Sequence, residues 1–322
     1  IGGSSKYVLS NKTIVFAVST FTLPGNNEQY IGSNVTIDGM ANGQNGVTFD
    51  ATGTQIRTWE INNPSSNIII RGINFKGCTP RNSTSAGCHE ESDLIALYGL
   101  KSGGGTISNV LIDRSTFMQA TDGALDITGN VSNVTVQRSL FYDNSHTMLI
   151  KYGSRQNISV HHNIFTRNGE RNPNVVGAMQ SLDFVNNIVN LNDVLVYPDG
   201  STTSQYGTRI WSCGTTCDSV PAGNVIANIV NNVYIDPTAH IELIESDGQT
   251  NSSVFMGGNY CVPSSNCPAS PRATPNSISA SYAVTTLTTN QLLTQVLPYV
   301  GAPNKTILDI QRLAEVSAVL PI

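Results

Sequence analysis

The chain has 322 residues, a formal net charge of −5 and only 12% charged residues. So few cations exclude the basic patch that nucleic-acid binding needs, and no apolar run is long enough to cross a membrane as a helix. Neither nucleic acid nor membrane is an expected partner. In chain order, Thr13-Ile-Val-Phe-Ala-Val and Asn34-Val-Thr-Ile-Asp-Gly read as the first strands, and Asn67-Ile-Ile-Ile-Arg-Gly-Ile-Asn-Phe as the next unit. The stretch from Cys78 to Glu91, rich in Pro, Gly and Ser, reads as a loop.

Beyond that loop one phrase recurs. Asn109-Val-Leu-Ile-Asp-Arg-Ser-Thr-Phe, Asn133-Val-Thr-Val-Gln-Arg-Ser-Leu-Phe, Asn157-Ile-Ser-Val-His-His-Asn-Ile-Phe and the weaker Ser181-Leu-Asp-Phe-Val-Asn-Asn-Ile-Val start a constant 24 residues apart. A short β-branched strand and a turn repeated at this interval mark a solenoid that adds one coil per repeat. No helical periodicity runs through the units, so the expected fold is all-β, a parallel β-helix. After Asn192 the repeat loosens through a Tyr-Pro-Asp-Gly-Ser loop, then resumes at Ala227-Asn-Ile-Val-Asn-Asn-Val-Tyr and Val254-Phe-Met-Gly-Gly-Asn-Tyr. The whole chain reads as a single domain, with 262–322 as a C-terminal tail that packs along the solenoid or caps an end.

Coils stacked at strand spacing turn sequence separation into proximity. Asp93, Asp122, His146 and Arg171 follow one another at near-period intervals and are expected to form a polar ladder on one outer face. Asp126 joins it if Asp122 and Asp126 share a strand, since i and i+4 then point the same way, leaving Leu125 and Ile127 for the core. Carboxylates gathered without an adjacent Lys or Arg call for a cation, and all-oxygen ligands favour Ca2+.

Six cysteines fall into close pairs, Cys78 with Cys88, Cys213 with Cys217 and Cys261 with Cys267. That pattern suits disulfides in an oxidising, extracellular compartment; zinc at Cys213-x-x-x-Cys217 is the alternative, without a second ligand pair at finger spacing. A chain opening at Ile1 is expected to be processed or trimmed. Sequons include Asn11, Asn34, Asn82, Asn130, Asn133, Asn157, Asn251 and Asn304, but Asn133 and Asn157 are better read as turn ladders between coils, like the Asn186-Asn187 and Asn231-Asn232 pairs. His161-His162 reads as structural, because neighbours on a strand point to opposite faces and do not readily share an ion. Trp59, Trp211 and Tyr206 are aromatic candidates for sugar contact, with packing under a loop the competing role.

Asp122-Gly-Ala-Leu-Asp126-Ile-Thr, Thr147-Met-Leu-Ile-Lys-Tyr, Val160-His-His-Asn-Ile-Phe, Gly169-Glu-Arg171-Asn-Pro-Asn-Val and the late Tyr299-Val-Gly-Ala-Pro-Asn with Asp309-Ile-Gln-Arg resemble the pectate lyases of polysaccharide lyase family 1. The resemblance implies a right-handed parallel β-helix, secretion, calcium dependence and β-elimination of polygalacturonate or pectin by a monomer. It implies Asp93, Asp122 and Asp126 as calcium ligands, with Glu91 close enough to add an oxygen, and Arg171 as the base. His146 is the second catalytic candidate.

Two positions depart from the family pattern. His146 stands where a Lys is usual before Thr-Met-Leu-Ile, and Val176 where an Arg usually follows Arg-x-Pro-x-Val. Lys151, Arg155, Arg167 and Arg209 are the cations available to compensate, and Lys151 and Arg209 join His146 as candidate substrate-binding residues. The departures leave open a lyase acting on methyl-esterified pectin or another polyuronate. A non-catalytic carbohydrate-binding β-helix is a further alternative, against which the acids beside Arg171 argue.

Overall fold

The computed structural model describes residues 8–22, 29–41, 43–52, 59–62, 64–78, 93–99, 105–191, 202, 205–213, 223–235, 241–244, 252–262, 267–277 and 284–320. Among them the strands form three parallel sheets of nine, each stacked in chain order. Every coil gives one strand to each sheet, so the chain winds as a parallel β-helix. The register repeats the sequence interval directly: Val110 pairs with Val134, Val134 with Ile158 and Ile158 with Leu182.

The recurring phrase explains each part of a coil. Asn109, Asn133 and Asn157 adopt φ of 57°, 54° and 53°, a left-handed conformation that Asn tolerates better than most residues. Their amides form a column on the outside: Asn133 Nδ2 donates to Asn109 Oδ1 at 3.1 Å, and Asn157 Nδ2 to Asn133 Oδ1 at 3.0 Å. Downward the column continues through Asn67, Asn34 and Asn11. At the weaker repeat Ser181 takes over, its hydroxyl donating to Asn157 Oδ1 at 2.8 Å. Asn133 and Asn157 are thus ladder residues, as are Asn11 and Asn34.

After the Asn, alternate residues enter the core. Val110, Ile112, Val134, Val136, Ile158 and Val160 are all buried. The turn that follows carries a second, internal ladder in which Asn163 donates to Asn187, Asn187 to Asn232 and Asn232 to Asn259. The phrase closes on a Phe that points inward. The rings of Phe75, Phe117, Phe141 and Phe165 stack with centroids 5.0, 4.7 and 4.9 Å apart. Trp59 is part of this core, edge-on to Phe75 and buried, so it does not meet sugar.

The C-terminal segment lies against the outer face of the third sheet. Leu287, Leu292, Val296, Val300 and Val316 bury against Leu140, Tyr142, Ile164, Ile188 and Val233. Helix Ile307–Val319 starts in a capping box between Thr306 and Asp309, and Arg312 pairs with Asp143 at 2.9 Å. Among the described residues no helix is long and apolar enough to cross a membrane. Cys261 is bonded to Cys267, and Cys78 and Cys213 are also in disulfides, which removes the zinc reading of Cys213. Cys88 and Cys217 lie outside the described residues.

Truncating a stacked ring leaves a cavity the coil cannot close, so Phe141→Ala is expected to cost about 3–5 kcal/mol. At Asn133 the left-handed backbone sets the ranking: Asn133→Gly should be less destabilising than Asn133→Ala by about 1 kcal/mol, although both lose the ladder amide. Chemical denaturation measures both, and equal losses for the two Asn133 variants would contradict the backbone argument.

Candidate active site

Four consecutive strands of the first sheet, Ile95–Tyr98, Gly123–Thr128, His146–Lys151 and Asn174–Val176, bring the predicted polar residues to one edge. Asp93 lies just before the first of these strands, Asp122 just before the second, His146 opens the third, and Glu170 and Arg171 precede the fourth. Asp122 therefore sits outside the strand that holds Asp126, contrary to the shared-strand expectation. Asp126 is within that strand, its register partners Ala96 and Leu149 on either side. Leu125 and Ile127 are fully buried beneath it.

Gly123 forms the floor between two carboxylates. Its N–H donates to Asp93 Oδ1 at 3.0 Å. A Cβ placed on Gly123 would stand 2.7 Å from Asp93 Oδ1 and 2.5 Å from Asp126 Oδ1, so both oxygens crowd one point above the glycine. Only a residue without a side chain permits that approach. Asp126 Oδ1 also accepts from the Leu149 N–H at 3.2 Å.

Asp122 faces a different set of partners. His146 Nδ1 lies 2.7 Å from Asp122 Oδ1, and Arg171 Nη1 is 3.6 Å from the same oxygen. His146 Nε2 is in turn 3.8 Å from Glu170 Oε2. An ionised carboxylate only accepts, so in the neutral ring the proton sits on Nδ1 and Nε2 keeps its lone pair. The acids were expected to lack an adjacent cation; Arg171 beside Asp122 corrects that. Among the described residues no three His, Cys, Asp or Glu side chains close into a ready metal cage, and Glu91 lies outside the described residues.

Asn172, which the sequence reading passed over, anchors the residue next to Arg171. It is fully buried, accepts from the Thr147 hydroxyl at 2.8 Å and donates to the carbonyls of Gly169 and Tyr206 at 3.0 and 3.1 Å. Thr208 donates to its carbonyl at 3.0 Å. Arg171 itself has φ of 66°, and its carbonyl accepts from the Met148 N–H. The only sequence signal for this anchor is its place inside Arg-Asn-Pro.

The candidate compensating cations are differently engaged. Arg209 stands one coil beyond Asn174 on the outward row, pairs with Glu242 at 2.7 Å and stacks on the buried Tyr206 ring at 3.7 Å. Lys151 is half-buried, over the Tyr152 ring. Arg167 pairs with Asp143 at 3.2 Å. Arg155 is fully buried, donating to the carbonyls of Val176 and Ala178, and so is no surface cation. Val176 is buried as well, while Trp211 is 37% exposed on the coil after it. A groove of about 480 Å³ over the second sheet, lined among others by Asn34, Ile69, Asn109 and Leu111, holds no titratable group. That groove thus lacks the acids and the base that the edge of the first sheet carries.

Burial and the neighbouring Asp122 charge push the Asp126 carboxyl up to about 6, against the opposing pull of Arg171, the Leu149 N–H and His146. The folded chain thus holds this proton more tightly than the unfolded chain, whose carboxyl keeps the ordinary 3.8. The stability it contributes is complete below that lower value and lost as pH rises through about 6. Denaturation in chelator should show a fall across this window that is flattened in Asp126→Asn; identical pH profiles would contradict the burial.

No family model matches this sequence, and no curated protein matches it. Among solved structures it is similar to the pectate lyase of Bacillus sp. N165 in complex with trigalacturonate, with TM-score 0.52 and 18% identity over 92% of this chain and 85% of that one. It is also similar to Jun a 1, the major allergen from cedar pollen, with TM-score 0.58 and 14% identity over 92% and 88% of the two chains. A third is the pectate lyase of Paenibacillus sp. 0602, with TM-score 0.56 and 14% identity over 94% and 79%. The likeness at these identities is one of fold, and the fold of this chain is the right-handed parallel β-helix.

Proposed function

We propose that this protein is a secreted pectate lyase that cleaves 4-linked polygalacturonate by β-elimination, with Ca2+ as cofactor and Arg171 as base. The observation that carries the reading is the gathering of Asp93, Asp122, Asp126, His146 and Arg171 along one sheet edge, hard oxygen ligands beside a nitrogen base. The motif resemblance and the shared fold support it, and the disulfides support an oxidising extracellular compartment. On this reading the chain is one β-helix domain, with 262–322 as a flanking tail, acting as a monomer on the polysaccharide.

The donor set fits calcium. Asp93 and Asp126 present hard oxygens to one point, a cation there would offset the cost of ionising the buried Asp126, and Asp122 and Glu91 are the assigned further ligands. The chemistry a bound Ca2+ supplies is withdrawal of charge from the substrate carboxylate, which acidifies the adjacent C5–H. Arg171 takes that proton; the C5–H electrons become the C4=C5 double bond as C4–O4 breaks, and O4 leaves as a hydroxyl protonated from solvent. A guanidinium is ordinarily protonated, so turnover is expected to rise into the alkaline range. Asp122 orients His146, whose Nε2 lone pair is the second proton acceptor of the site. Lys151 and Arg209 are assigned to substrate binding.

A second reading is favoured by the state of the cations. Val176 is apolar and buried, Arg155 is internal and Arg209 is tied to Glu242, so the face offers a polyanion little free positive charge. Methyl-esterified pectin or another polyuronate of low charge would meet less repulsion from Asp122, Glu170 and Glu242.

Ultraviolet absorbance of the unsaturated product, with polygalacturonate and with highly methylated pectin, each in calcium and in chelator, separates the readings. Product from polygalacturonate in calcium alone is expected. Arg171→Lys should lower turnover by orders of magnitude with little change in KM, and Asp122→Ala should abolish calcium stimulation at a nearly unchanged Tm. Preference for methylated pectin would favour the second reading. Binding of oligogalacturonate without any product would make the protein a non-catalytic carbohydrate binder.

A further inference from the structure

His161 ends the second-sheet strand Arg155–His161, and His162 follows it with φ of 57°. Side chains at successive strand positions point apart, but the left-handed turn at His162 reverses that. The two rings meet with Nδ1 atoms 2.8 Å apart, edge to face at 86°. The expectation that these neighbours diverge is therefore corrected by the local backbone. Two neutral imidazoles make this contact only when one Nδ1 carries the proton and the other accepts it. His161 is buried and His162 half-buried, leaving one side of the pair open to solvent. Its rungs on adjoining coils are Gln137 and Val185 beside His161, with Arg138 and Asn186 at the left-handed position of His162. Neither adjoining coil repeats the paired imidazoles.

We propose that His161 and His162 form an open two-nitrogen site for a divalent transition-metal ion, Cu2+ in preference to Ni2+ or Zn2+, with water in the remaining positions. The geometry carries the assignment. Two imidazole nitrogens each about 2.0–2.1 Å from one metal lie about 2.8–3.4 Å apart as the angle between them opens from a right angle to the tetrahedral value, and the present hydrogen bond already holds the pair at 2.8 Å, the near end of that range. A right angle between neighbouring ligands is the tetragonal preference of Cu2+ and Ni2+, and Cu2+ leads the affinity order. The ion would take the place of the hydrogen-bonding proton, which moves to Nε2 of the ring that carried it, each ring turning about its Cβ–Cγ bond to aim both Nδ1 lone pairs at one point.

Burial, the neighbouring His162 and Arg138 push His161 down to about 3, and burial with Arg138 pushes His162 down to about 4. Protons therefore compete with a metal less than at an ordinary histidine pair. Arg138 repels a cation, but its exposure to solvent screens that effect. Among the described residues no third His, Cys, Asp or Glu joins the pair, so at least two coordination positions remain for water.

The test titrates the full chain with Cu2+ alone, following heat and the electron paramagnetic resonance spectrum. One site with two coordinated nitrogens is expected, weakened by at least about 10-fold in His162→Asn and in His161→Gln. Both replacements already occur at the equivalent position of an adjoining coil, Asn186 and Gln137, so the fold should tolerate them, which thermal melting checks. Unchanged Cu2+ binding in both folded variants, or a wild-type spectrum without two-nitrogen ligation, would overturn the site.

Discussion

Parallel strand pairing in register is the constraint on which everything else rests. Each coil hydrogen-bonds to the next through three sheets, so in the central coils a residue stacks on its counterpart 24 positions away, while other coils keep the same stacking across longer intervals, as Ile68 does with Val110. The Asn column outside, the Asn ladder within the turn and the Phe stack in the core all enforce that register. A slip of one residue would bury the polar rows and expose the apolar ones. The penalty for losing register makes the outer edge of the first sheet a rigid frame for side chains distant in sequence.

That frame holds groups that do not sit comfortably together. Asp93 and Asp126 crowd over Gly123, and Asp126 retains its proton well above the ordinary carboxyl range. Asp122 is balanced by Arg171 and His146, and His146 faces Glu170 on its other side. Fold stability alone gives no reason to assemble such a group, whereas a site that binds a cation and moves a proton uses every member. Calcium and the base role of Arg171 belong to the proposal built on this arrangement.

Most of the fold was legible in the sequence because a solenoid repeats its instructions. The Asn, the alternating aliphatics and the Phe each recur with a single structural meaning, and Asp93, Asp122, His146 and Arg171 fell on one edge as their spacing required. What escaped was set by single backbone angles and by burial. Asp122 lies before its strand, not on it; His162 turns back toward His161 at φ of 57°. Arg155 looked like a surface cation, yet its strand position carries it inside to bond coil carbonyls. Asn172 gave no sign of its hydrogen bonds, since most of its partners come from two segments distant in sequence, at Thr147 and at Tyr206 to Thr208.

The central claim is that the sugar chain lies across the acidic edge of the first sheet. A crystal structure of the Arg171→Lys variant, soaked with trigalacturonate and calcium at alkaline pH, tests it most directly. The account predicts a uronate carboxylate facing Asp93, Asp122 and Asp126, with the saccharide running over the row formed by Leu149, Asn174 and Arg209. A saccharide seated instead in the groove over the second sheet, beside Ile69 and Leu111, would contradict it.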